Sequence, residues 1–498
     1  MSTKSPLTNP RMANLPAQGV ATRFAVLGLL AAALSGCTVG PDFQRPAAPP
    51  VDRYTATPTT ATTATTATQH GVAQQLVEGL PIEAQWWRTL GSPALDRLID
   101  EAFNHSPTLA AARATLRQAQ ELQAAQAGAT QYPQVDLGVG AQRQRTSPSS
   151  QGVSGDAREF SLYSASVGVR YNLDLAGGSR RALEALAART DYRRFELDAA
   201  QLTLAATIAN AAINRARLAA QIDATENIVQ LEDAQVTVSR QRLRLGQVSP
   251  DELASLESQV EQTRAGLPAL RKQLEQTEHL LATLAGRAPA AGDVPPFTLA
   301  AFALPERLPV IVPSELVRRR PDIQAAEALM HAANADYGVA VARLYPQLNL
   351  SASLGSQALT TGALFGGASA VWGLVGQLTQ PLFNPALPAE KRAALAAFDA
   401  VAANYQGVVL NALRNVADTL RAIEHDAQAL HSQAAAEAAA QAALQAIGHR
   451  YRLGAASYLQ LIVAQQQAQQ TRLGLASAQA QRLSDSIALY QAMGGAGQ

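Results

Sequence analysis

A chain of 498 residues with a single cysteine can form neither an intrachain disulfide nor a cysteine cage for a metal. Aromatic residues make up only 5% of it and charged residues 16%, and the formal net charge is +1. That balance leaves no broad basic footprint, so nucleic acid is not an expected partner. No apolar run approaches the roughly 18 residues of a transmembrane helix. Catalytic patterns are missing too. The seven histidines are scattered, and His425 and His431, six apart on a helical pattern, do not share a face. There is no zinc-protease pair, phosphate loop or nucleophile elbow. The sequence therefore predicts no enzyme, no cofactor and no metal.

What is present is alanine, glutamine and one informative N-terminus. Lys4, Arg11 and Arg23 precede an apolar run from Phe24 to Leu34, which is the right length for a signal-peptide core. Leu34-Ser35-Gly36-Cys37 then resembles a bacterial lipobox, in which the thiol is the side chain that takes the lipid. The expectation is that residues 1–36 are removed and that Cys37 becomes the acylated first residue. Each buried acyl CH₂ contributes about 0.8 kcal/mol, so several chains make a durable anchor. In bacterial lipoproteins an Asp after the cysteine favours inner-membrane retention; Thr38 does not, which points to the outer membrane. Residues 37–80, with "TATPTTATTATTAT" at Thr55–Thr68, read as an acylated tether, either flexible or strapped along the protein.

The rest is written twice. "RLRLGQVSPDELASLESQVEQTRAGL" (Arg242–Leu267) returns without a gap as "RYRLGAASYLQLIVAQQQAQQTRLGL" (Arg450–Leu475), and "YPQVDLGVG" at Tyr132 returns as "YPQLNLSASLG" at Tyr345. This divides the mature chain into a first repeat at 81–286, a linker at 287–314 and a second repeat at 315–494. Each repeat predicts a helix (Pro107–Thr130; Pro321–Leu344), two strands, one very long helix, a tip turn and a last helix. The long helix of the first repeat, Ser179–Leu243, would extend about 100 Å at 1.5 Å per residue. Ile208, Ile222, Val229, Val236 and Leu243 recur at multiples of seven, a coiled-coil seam. Proline is read as confined to breaks.

The strands alternate. Tyr163, Ala165, Val167, Val169, Tyr171 and Leu173 form one face; Ser164, Ser166, Gly168, Arg170, Asn172 and Asp174 form the other. Val135, Leu137 and Val139 behave likewise, as do Leu348, Leu350, Ala352 and Leu354. The last strand, around Trp372–Leu382, is less regular. Such alternation suits a membrane barrel, and equally a half-buried soluble sheet. Four strands cannot close a barrel alone, and open edges are forbidden in lipid. Two, three or four copies sharing one barrel would supply eight, twelve or sixteen strands.

"PSELVRRRPDIQAAEALM" (Pro313–Met330), "CTVGPDFQRP" at Cys37 and "QWWRTLGSPALDRLIDEAF" (Gln85–Phe103) resemble the outer-membrane factors of tripartite efflux systems, the TolC-like proteins of the NodT subgroup. The resemblance runs in order through the mature chain. It implies a mixed α and β membrane protein: a homotrimer with a twelve-strand transmembrane β-barrel, four strands from each protomer, continued by a long periplasmic α-helical barrel. It also implies a periplasmic adaptor and an inner-membrane transporter as partners, alongside outer-membrane lipid. The rival reading is a lipid-anchored periplasmic coiled-coil scaffold.

At the tips, Gly246 and Gly454 suit the left-handed position that ends a helix. Ser249–Glu252 and Ser457–Gln460 read as capping boxes opening the next helices. By the family resemblance, Arg244, Leu245, Gly246, Arg452, Leu453 and Gly454 form the adaptor-contact surface. The gate positions that hold carboxylates in many relatives are Gln460 and Val463 here, with Leu459 beside them. The expectation is a mouth sealed by apolar contact. Arg318, Arg319 and Arg320 precede a helix N-terminus, which disfavours cations; they need carboxylates or solvent.

Overall fold

A computed structural model describes residues 38–147, 152, 154 and 156–495. The expected signal peptide 1–36 and Cys37 lie outside these residues. The chain forms two units, each assembled from both repeats: one from residues 38–43, 123–186 and 332–398, the other from 44–122, 187–331 and 399–495.

The first unit holds the sheet. Strands β2 (Gln134–Thr146), β3 (Arg158–Leu173), β5 (Gln347–Ala358) and β6 (Ala370–Thr379) lie side by side in that order, every pair antiparallel. The last strand stops short of Leu382. A strand of the first repeat thus pairs with one of the second, and the outer edges of β2 and β6 carry no strand among the described residues.

The second unit holds the hairpins and most of the core. The helices comprise α1 (Pro93–His105), α2 (Pro107–Gln131), α3 (Gly178–Arg244), α4 (Pro250–Leu284), α5 (Pro313–Arg319), α6 (Pro321–Ala342), α7 (Ala386–Arg452) and α8 (Tyr458–Ala492). The two repeats match in length: α3 and α7 have 67 residues each, and α4 and α8 have 35 each. Of the predicted seam, Ile208, Ile222, Val229 and Val236 are buried along α3, and Leu243 at the tip is half-buried. Proline is not confined to breaks: Pro268 lies inside α4, where it removes the N–H that would bond the Arg264 carbonyl. Flanking turns and packing against α3 keep the helix continuous around it.

Two segments are more ordered than their composition suggests. The threonine-rich tether is an extended strap, not a flexible one. Thr63 and Gln74 exchange hydrogen bonds, and β1 (Gln75–Glu78) pairs in parallel with β4 (Arg307–Val310). The expected linker 287–314 contains β4, and its Phe297 and Phe302 are buried in the main core, stacked 5.8 Å apart. In that core Trp86 stacks on Tyr490 at 5.4 Å and Trp87 meets Phe103 edge-on at 5.4 Å. The "QWW" stretch therefore packs against the far end of α8.

Candidate functional site

The sheet is the first functional element. Its register aligns the apolar residues into rows that cross all four strands: Leu137–Val167–Leu354–Trp372 and Val135–Val169–Ala352–Leu374. Between them run polar rows such as Asp136–Gly168–Ser353–Gly373, and Arg170 pairs with Asp136 at 2.5 Å across β2 and β3. On the apolar face Leu137 is 77% exposed and Trp372 81%. Side chains of this size left open in rows need an apolar covering. Val371 and Val375 break the polar face of β6, which is why that strand reads poorly in the sequence.

The tips are the second element. Gly246 (φ 67°) and Gly454 (φ 73°) are left-handed, as expected. Gly246 N–H bonds Leu243 O and Gln247 N–H bonds Arg242 O; Gly454 and Ala455 repeat this on Tyr451 and Arg450. Both turns are thus Schellman caps. Arg244, Leu245, Gly246, Arg452, Leu453 and Gly454 are all exposed, and the two leucines are more than 70% so. The turns are adjacent: the Arg242 guanidinium lies 5.5 Å over the Tyr451 ring and donates to the Arg452 carbonyl at 3.2 Å.

The capping boxes differ. Ser457 and Gln460 form the full box, so Gln460 is occupied at the helix start. Ser249 accepts from the Glu252 N–H, but the Glu252 carboxylate does not return to the cap. It instead accepts a hydrogen bond from the Tyr451 hydroxyl at 2.8 Å, joining α4 to α7. Leu459 and Val463 are exposed at the start of α8.

Behind the tip lies a buried polar group that sequence reading missed. Glu232 is 2% exposed, and burial raises its carboxyl above the ordinary range against hydrogen bonds from Thr263 and Gln259. Burial also raises the Tyr458 hydroxyl, helped by Tyr451, Glu252 and Glu232 nearby. The signal was one of register only: Glu232 stands among apolar seam neighbours of α3. Above this cluster a groove of about 360 Å³ runs between α3, α7 and α8, lined by Leu231, Gln235, Leu444 and Arg472.

Two of the three arginines find local partners, and Arg318 is exposed to solvent. Arg319 pairs with Glu315 one turn back at 2.5 Å. Arg320 grips Asp322 with two nitrogens at 3.0 and 2.7 Å and donates to the Ala492 carbonyl at the end of α8 at 2.8 Å.

The chain matches the family model "Outer membrane efflux protein" twice, over residues 98–287 and 312–495, one match per repeat. It is 33% identical over 449 residues to the pyoverdine export outer membrane protein OpmQ of Pseudomonas putida, covering 89% of this chain and 94% of that one. Among solved structures, the outer-membrane channel OprN superimposes with a TM-score of 0.83 at 27% identity, covering 92% of this chain and 99% of that one. The outer membrane protein VceC of Vibrio cholerae gives 0.78 at 27% identity, over 84% and 100%. The chain therefore belongs to the outer membrane efflux protein family and is an outer-membrane channel component of an efflux pump.

Proposed function

We propose that three copies of this chain form the passive exit duct of a tripartite efflux pump. The observation that carries the reading is the four-strand sheet with apolar rows on one face and, among the described residues, no strand on either edge. In lipid every backbone donor and acceptor must be paired, so such a sheet is stable only when copies close it. Three copies give a twelve-strand barrel whose apolar face meets the acyl chains and whose polar face lines the passage. The long hairpins continue it as a periplasmic tube. Cys37, acylated, tethers the same end to the outer membrane. Energy comes from the inner-membrane transporter, and the periplasmic adaptor docks on the exposed turns Arg244-Leu245-Gly246 and Arg452-Leu453-Gly454. The exported molecule is small; pump specificity resides mostly in the other chains.

The mouth closes through apolar contact of Leu459 and Val463, with Gln460 fixed at the helix cap. The test is ion conductance of the purified protein across a planar bilayer. The expected result is small steps that enlarge in a Leu459→Ser variant and are little changed by millimolar divalent cations. Strong divalent block of the unmodified protein would contradict the apolar seal, and absence of any steps in the Leu459→Ser variant would contradict the duct.

A further inference from the structure

The stretch "TVGPD" directly after Cys37 has no part in the export reading, yet hydrogen bonds from Arg181, Asn334 and its own backbone hold it in the first unit. Arg181, on the first turn of α3, has a side chain only 4% exposed. It donates to Val39 O at 3.4 Å, Gly40 O at 3.3 Å, Asp42 Oδ1 at 2.7 Å and Glu184 Oε2 at 2.8 Å. Asn334, 6% exposed, donates to Pro41 O at 3.0 Å. Val39 N–H bonds Ala176 O at 3.0 Å. Gly40 has φ +92°, and a Cβ there would stand 2.8 Å from the Cα of Gly338. Gly338 in turn leaves room for the Arg181 stem, whose carbons lie 3.0 Å from where its own Cβ would be.

A buried guanidinium must have its donors satisfied, or the desolvation cost stands uncompensated. Without residues 39–42, Arg181 would keep Glu184 alone among these partners. The Asp42 carboxylate is 91% exposed, so that ion pair adds little by itself. The backbone carbonyls and the glycine–glycine contact are what recognise the segment. This explains why the motif contains Gly40 (a left-handed residue in close contact) followed by Pro41, whose missing N–H needs no partner.

We propose that Arg181, Asn334 and Gly338 form a receptor for the chain's own segment Thr38–Asp42. The receptor seats the mature N-terminus beside the end of β3 by polypeptide contacts alone, whether or not Cys37 carries lipid. It stands apart from the export reading.

Because Cys37 is the only cysteine, Cys37→Ser gives a background in which Thr38→Cys, within the segment itself, carries a single nitroxide label. The full mature chain, exported behind a non-lipoprotein leader, is purified in detergent and its spin-label mobility recorded. The expected spectrum is motionally restricted although no lipid is present. Arg181→Met abolishes the restricted component. So does Gly40→Ala, a change on the segment that leaves α3 intact and so serves if Arg181→Met fails to fold. A mobile label in the unlipidated protein with the receptor intact would overturn the proposal. So would a label that stays restricted in the Gly40→Ala variant.

Discussion

The hairpin of the first repeat and that of the second share one backbone and differ in how they are tied. A shift that carries Gly246 onto Gly454 superimposes α3 on α7 and α4 on α8, end to end. In the first hairpin, three ion pairs step down the helices at heptad intervals: Arg240–Glu257 at 2.7 Å, Arg264–Asp233 at 2.9 Å and Arg271–Glu226 at 2.7 Å. The corresponding pairs in the second are Gly448 with Gln465, Gln441 with Arg472, and Ala434 with Gln479. Among the described residues no ion pair joins α7 to α8. Closeness replaces charge there: a Cβ on Gly474 would stand 2.8 Å from Gln433, whereas at Gly266, its counterpart, the space is open. The second hairpin is instead tied at its ends, by Tyr451 at the tip and by Arg482 and Asp485 at its root. The first is cross-linked along its length.

The largest effect should come from the root. Arg482, 1% exposed, donates to His70 O, Val72 O, Thr63 Oγ1 and Gln74 Oε1 of the strap; its counterpart is Leu274. Arg482→Leu should cost on the order of 3 kcal/mol by removing a donor that serves four acceptors, the buried His70 carbonyl and Gln74 Oε1 among them. It should also open the strap to protease. The volume-conserving Leu274→Met should cost less than about 1.5 kcal/mol.

Asp485, where the first repeat has Thr277, comes next. Burial pushes its carboxyl up to about 7, with Asp426 adding to the rise and Gln481 and Arg482 opposing it. The folded state thus holds this proton more tightly than the unfolded chain, so the contribution of Asp485 to stability is greatest below about pH 4, falls as pH rises to about 7, and then levels. In Asp485→Asn the melting temperature should lose that fall, and at pH 8 the variant should melt above the unmodified protein. An unchanged pH profile would remove Asp485 from the account.

At the tip, Tyr451→Phe deletes the bond to Glu252 and should cost about 1–2 kcal/mol locally. Trypsin should then cut faster after Arg452 while global melting shifts little. The smallest effect belongs to the ladder. Each rung is half-exposed and worth less than about 1 kcal/mol. High salt should therefore speed amide exchange modestly in α3 and α4 and leave α7 and α8 unaffected.

Much of this was legible in the sequence because it is periodic. The seam, the tip glycines and the alternating strands follow directly from repeats of seven and two, and duplication let each half check the other. What escaped was long-range and specific. Glu252 reads as a cap, and only the neighbouring hairpin reveals Tyr451 as its partner. Arg181 and Arg482 look like solvent-facing helix arginines until the strap is in place around them. The strap itself hides behind a low-complexity composition, since a run of threonines does not show which hydroxyls, such as those of Thr63 and Thr68, accept hydrogen bonds from α8.

The central claim is that copies of this chain enclose a passage. Electron microscopy of the detergent-purified mature protein tests it most directly. Hollow, three-fold particles with a shaft of about 100 Å, as the length of the 67-residue helices requires, are the expected result. Slender or compact particles without a lumen would contradict it.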